Sequence, residues 1–179
     1  MTSKTFSYLQ IHTAVLLFGF TAILGRLIHI SELGIVWHRL IITCASLLFL
    51  PQVWRELKPT DWRATLKLSG IGTLVSLHWV LFYGAVKYSN VSVTLSCMAT
   101  SSFFTALIEP LFFQKRVKFY ELILGVFILG GIYLIFFFTE LYLAGIIMGL
   151  LAAFLAATFA TLNKKMVINQ GALSMRSLN

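Results

Sequence analysis

The sequence predicts an all-α integral membrane protein of six transmembrane helices, and three observations carry that reading. Six stretches of about twenty mostly apolar residues fill almost the whole chain, each long enough to cross a ~30 Å hydrocarbon core at ~1.5 Å per residue. Hydrophobic residues make up 59% of the chain and charged residues only 11%, with a mean hydropathy of +0.89. A soluble chain of this length needs far more polar surface to cover a single core. Finally, the basic residues behind the net charge of +8 sit in the connections between the apolar stretches, where membrane orientation accounts for them and nucleic acid does not.

The expected spans are Leu9–Ile28, Leu33–Leu50, Leu66–Val86, Val91–Phe113, Glu121–Phe138 and Tyr142–Leu162. The first continues past signal-peptide length with no small-residue cleavage site, so it reads as a helix that stays. The second begins after Ser31 and Glu32 and stops at Pro51, which lacks the N–H that a helix needs. Between Pro51 and Thr65 lie Trp54, Arg55, Lys58, Pro59, Asp61, Trp62 and Arg63, a mixture suited to the headgroup layer. Tyr8, Tyr88, Tyr120 and Tyr142 fall at span ends, as in an aromatic belt. The sixth span carries Gly145, Gly149, Ala153, Ala156 and Ala160 at helical spacing, a small-residue stripe that reads as a packing face. Beyond it, Asn169, Gln170, Gly171 and Ser174 to Asn179 form a polar piece, and the sequence reads as stopping where another helix should begin.

One side of the membrane receives Lys4, then Arg55, Lys58, Arg63 and Lys67, then Lys115, Arg116 and Lys118, then Lys164, Lys165 and Arg176. The other receives Arg26 and Lys87, while Arg39 falls within the second span. That asymmetry places the N-terminus in the cytoplasm of a multi-pass protein of the cytoplasmic membrane.

Polar residues inside the spans are the candidate functional groups, because their burial in lipid is costly without a role. In the fourth span Thr94, Met98, Ser101, Thr105 and Glu109 share a sector of roughly 80° at ~100° per residue, with Cys97 on its flank. Such a stripe faces other helices or a substrate path. Glu109 is the only acidic residue well inside a span, ~6 Å from its cytoplasmic end, within reach of headgroups or of Lys115 and Arg116. Pro110 after it predicts a kink. An Arg39–Glu109 ion pair is excluded by depth, since roughly 12 Å separates them along the membrane normal. His78 and Trp79 reach the midplane, where secondary transporters hold substrates, and Ser101 and Ser102 reach it from the other direction. His78 lies opposite the face of Ser69, Thr73, Ser76 and Tyr83, so both sets cannot point into one narrow cavity. The bland reading beside each of these is a packed or hydrogen-bonded structural residue.

Enzyme, cofactor and metal readings lack their parts. The sequence has no G-x-S-x-G, no H-E-x-x-H, no Gly-rich phosphate loop and no paired intramembrane carboxylates. Cys44 and Cys97 fall inside apolar spans without a CxxC, so no disulfide framework or metal site is expected.

In order and spacing, several motifs resemble those of the drug/metabolite transporter superfamily, specifically its EamA-type repeat. They are Leu17-Phe18-Gly19-Phe20-Thr21, Trp37-His38-Arg39, His78-Trp79, the run Tyr83 to Ser92, Glu109-Pro110-Leu111, Leu124-Gly125 and Gly130 to Ile135. The resemblance implies two tandem five-helix repeats of inverted topology that move substrate by alternating access. Residues 1–138 would form the first repeat, and 139–179 would open a second that is truncated after one helix. Leu150 to Phe154 leading to Lys164 echoes Leu16 to Phe20 leading to Arg26. Gln114-Lys115-Arg116 stands where many members carry Gly-Glu-Arg, and Phe18 where Trp often precedes Gly.

The expectation is therefore an N-terminal fragment of a secondary-active exporter or exchanger of small metabolites such as amino acids. It needs a lipid bilayer and no nucleic acid or cofactor. His78, Trp79, Tyr83, Thr94, Ser101 and Thr105 are the candidate substrate-binding residues, and Glu109 and Arg39 the candidate gate or proton-linked groups. The competing reading is a non-transporting membrane scaffold or interaction subunit, and a third arrangement is a homodimer forming a pore.

Overall fold

A computed structural model describes residues 3–51, 61–114, 116–137 and 142–176, and among these every regular element is an α-helix. The helices are α1 (Ser3–Leu27), α2 (Glu32–Leu48), α3 (Trp62–Tyr88), α4 (Val91–Ala99), α5 (Ser101–Phe113), α6 (Phe119–Phe137) and α7 (Leu143–Arg176). Because α4 and α5 continue one another across the single residue Thr100, the described chain makes six rods. Much of the expected headgroup connection, with Trp54, Arg55, Lys58 and Pro59, lies outside the described residues, as do Lys115 and Ser177 to Asn179.

Four rods are long and apolar enough to cross a membrane: Thr5–Leu27, Trp62–Tyr88, Val91–Phe113 and Leu143–Ile168. The other two expected spans are shorter. Helix α2 has 17 residues, the lower limit for a crossing, and Phe119–Leu134 is an apolar helix below the length of the other four.

Local chemistry sets the helix ends. Ser31 caps α2, its Oγ accepting from Gly34 N at 3.1 Å, so the helix starts at Glu32, one residue before the expected Leu33. Asn90 caps α4 in the same way, accepting from Val93 N at 2.9 Å. At Gln114 the backbone turns left-handed (φ 52°), which ends α5 four residues after Pro110. The helix runs through Pro110, and the interruption of the rod lies at Thr100. There the Thr100 N–H folds back to Cys97 O at 3.0 Å and Oγ1 donates to the same carbonyl at 2.6 Å, a tight turn that replaces the α-helical bond.

The sixth span departs from expectation at its far end. Helix α7 continues past Leu162 through Lys164, Lys165 and Asn169 to Arg176. Residues 163–176 contain no proline and many good helix formers, so the backbone has no reason to stop where the apolar run ends.

Successive rods alternate in direction, giving the bundle an Asn90 end and a Gln114 end. Helix α7 occupies the middle, packed most extensively on α3 and then on α5 and α4. Ala152, Ala153 and Ala157 of α7 are buried, and a side chain at Gly149 would come within 2.8 Å of Cys97 Cβ. The expected small-residue stripe is thus a packing face, rotated slightly at its lower end: Ala157 and Thr161 are buried while Ala160 is exposed. Ala22, Ile35, Val36, Phe82, Tyr83 and Val86 join Ala152 in the core cluster. The outer faces of α1, α2 and α6 carry exposed Leu, Ile and Phe side chains, the surface that lipid covers.

Candidate functional site

Toward the Gln114 end, α5 and α6 diverge around a cavity of about 920 Å3. Helix α5 contributes Ser101, Ser102, Thr105 and Glu109, the turn after it contributes Arg116 and Lys118, and α6 contributes Glu121. Deeper in the wall, Gly125 admits the ring of Phe103, which overlaps the place a Cβ would take and draws α6 against α5. Thr105 Oγ1 donates to Ser101 O at 2.7 Å and Ser102 Oγ to Ala99 O at 3.0 Å. With their protons used, these hydroxyls present acceptor lone pairs to the cavity. Glu109 receives Lys164 Nζ of α7 at 2.7 Å. At the mouth, Lys118 lies 3.3 Å from Tyr120 Oη and 3.4 Å from Glu121, and the hydrogen bond to Tyr120, with that to Glu121, pushes its ammonium above the ordinary lysine range. The cavity therefore joins hydroxyl acceptors, a paired carboxylate and a cationic rim.

A second polar cluster lies toward the Asn90 end, between α2 and α3. The Arg39 guanidinium rests 3.7 Å from the centre of the Trp79 indole and donates from Nη1 to Tyr83 Oη at 3.1 Å. Trp79 and Tyr83 are stacked, with ring centres 5.8 Å apart, one helical turn from each other on α3. Gly25 of α1 lets the Tyr83 ring approach, since a Cβ there would come within 2.5 Å of Cε1. Beside them Arg26 closes the end of α3, donating to Val86 O and Lys87 O at 3.1 Å each, where the helix leaves its last carbonyls unpaired.

The sequence pattern of the EamA-like transporter family matches residues 5–137, nearly three quarters of the chain. The chain belongs to the EamA-like transporter family. Neither a curated protein nor a solved structure matches it. Membership makes this a multi-pass membrane protein of the drug/metabolite transporter kind, with a lipid bilayer as its surroundings and small molecules as its substrates. The matched residues cover α1 to α6, and α7 follows them.

In this EamA-like chain the candidate residues separate into three settings. Ser101, Thr105 and Glu109 line the α5–α6 cavity together. Arg39, Trp79 and Tyr83 form the aromatic cluster. Thr94 faces neither, and His78 meets only the edge of the aromatic cluster, its ring T-shaped to that of Trp79 with centres 5.2 Å apart. His78 is buried, its Nδ1 2.8 Å from Ala152 O and its ring edge-on to Phe159, which makes it a packing contact between α3 and α7. Thr94 is fully buried and donates to Asn90 O at 2.9 Å. The polar stripe of the fourth span is thus divided by the Thr100 turn, its first part packed and its second part lining space.

Charge pairing adds a partner that the sequence reading did not name. Glu109, expected to reach headgroups or the adjacent Lys115 and Arg116, pairs with Lys164, 55 positions further along, while Lys115 lies outside the described residues. Arg39 and Glu109 stay apart, each with its own partners, as the depth argument requires. Lys164 is the residue that sequence reasoning passed over. Its expected place two residues past the end of the sixth span at Leu162 hid the pairing, which the continuation of α7 beyond that point makes possible.

Proposed function

We propose that this chain acts in secondary-active export or exchange of small metabolites such as amino acids, by alternating access, with the α5–α6 cavity as one wall of the path. The supporting observation is the cavity itself: hydroxyls and a carboxylate gathered in helices that are otherwise apolar, in a chain of a transporter family. Polar groups at that depth are costly unless they meet a substrate, water or one another. Ser101 and Thr105 offer acceptors to ammonium or hydroxyl groups of the solute, and Glu109 with Lys164 forms a charge pair that opens when a proton or a cationic group takes the place of the lysine. Residues 1–138 serve as the first repeat and 139–179 as the opening of a second, inverted one. The basic residues of the Gln114 end and the N-terminus face the cytoplasm.

The test is efflux from vesicles carrying the protein, loaded with a mixture of labelled amino acids. Transport should fall at least about tenfold in a Ser101→Ala, Thr105→Ala double variant. Unchanged efflux in that variant removes the cavity from the path, and no efflux of any loaded metabolite by the unaltered protein favours the scaffold reading.

A further inference from the structure

We propose that Arg39, framed by Trp79 and Tyr83, is a recognition site for the carboxylate of a small organic solute. The inference deepens the transport reading and rests on it for the passage of the solute, though not for its binding. Guanidinium carries five N–H donors in a planar fork. Among the described residues Arg39 makes one hydrogen bond, to Tyr83 Oη, and no ion pair. The Trp79 face stabilises the charge from one side without accepting any of the remaining donors. The side chain is half-buried seven residues inside α2, ~10 Å from the Asn90 end. A cation so placed, with donors left over, is completed by an oxyanion.

Its surroundings give the preference among oxyanions. Tyr83 is buried and held by the α1 backbone at Gly25, so the hydroxyl that orients Arg39 is itself fixed. Trp79 adds an aromatic surface beside the fork, suited to a flat or apolar body attached to the carboxylate. Arg39 acts here as a binding group, a role different from that of a gate. A lipid phosphate has the same oxyanion chemistry, but its place is at the membrane surface, above the fork.

The experiment uses the full chain in an uncharged detergent, with Trp37, Trp54 and Trp62 replaced by phenylalanine so that Trp79 alone reports. Benzoate should change its fluorescence saturably, and benzamide, which has the same ring without the charge, should bind at least about tenfold more weakly. Arg39→Gln should abolish the benzoate response. Tyr83→Phe, which keeps the charge and removes only its orienting hydroxyl, should weaken it several-fold while leaving helical circular dichroism unchanged. Equal responses to benzoate and benzamide, or a full response in a folded Arg39→Gln protein, would overturn the proposal. So would displacement of benzoate by phosphatidylglycerol in mixed micelles, which would give the site to a headgroup. The two readings fail separately: charge-selective binding without efflux leaves the site and removes transport, and efflux with no benzoate response in the unaltered protein leaves transport and removes the site.

Discussion

Glu109 on α5 meets a lysine at 2.7 Å, whereas Arg39 on α2 rests on an indole at 3.7 Å and shares a single hydrogen bond with a phenol. Both charges sit within apolar helices, at opposite ends of the bundle. The carboxylate and its partner remain 27% and 48% exposed, so their attraction is screened by whatever water fills the cavity. The arginine is held among rings packed into the core cluster. One end thus places its charge pair in an open cavity, and the other holds a half-buried charge in a fixed geometry against rings. Packing explains the contrast: α3 lies tightly on α7 around His78, while α5 and α6 separate beyond the Gly125–Phe103 contact.

Among substitutions, the largest effect belongs to the packed side. His78→Ala removes a ring wedged against Phe159 and leaves Ala152 O without its imidazole partner, at a cost of about 3 kcal/mol, measured by unfolding in mixed micelles with dodecyl sulfate. Ser101→Ala in the cavity wall should change the same midpoint by less than about 0.5 kcal/mol. Equal effects at the two positions would erase the distinction between the packed interface and the cavity wall. Next in size, Gly149→Leu forces a side chain toward Cys97 and Ala85 and should cost about 1–3 kcal/mol in that assay.

These residues also mark what the sequence made legible. Hydropathy and length revealed the rods, and the expected limits Val91 and Phe113 agree with those observed for the fourth rod because those signals are local. The Thr100 turn was hidden, since threonine breaks no pattern and its effect comes from a hydroxyl donating to a carbonyl three residues back. Continuation of α7 was hidden because hydropathy reports where lipid ends, not where a helix does. The pairings Glu109–Lys164 and Arg39–Trp79 depend on which helices become neighbours, information that periodicity along one helix does not contain. The separation of His78 from the Tyr83 face was legible, because 100° per residue fixes it, whereas the assignment of His78 to the α7 interface required the neighbour.

Smaller effects probe the ends. Asn90→Ala removes the cap of α4 and should cost about 1 kcal/mol, seen as a lower unfolding midpoint. A double-mutant cycle of Glu109→Gln and Lys164→Gln should give a coupling of only about 0.2–1 kcal/mol that shrinks with added salt. A larger, salt-insensitive coupling would mean that the pair is shielded from water and the cavity closed. Lys118 should contribute least. Its folded value is raised above the ordinary 10.5, so what its hydrogen bonds add is fully present below that value and is lost only as pH rises through the folded one. Stability in the wild type and in Lys118→Gln should therefore run parallel from roughly pH 6 to 9.

Water access to the two parts of the broken fourth rod tests the account most directly. With Cys44 and Cys97 replaced by alanine, single Thr105→Cys and Thr94→Cys variants in native vesicles are exposed to a charged, membrane-impermeant thiol reagent. Thr105 lines the cavity and Thr94 is fully buried, so the first variant should be modified rapidly and the second should resist modification until the protein is unfolded. A protected thiol at position 105 together with a reactive one at 94 would contradict the cavity, and with it the route proposed for the substrate.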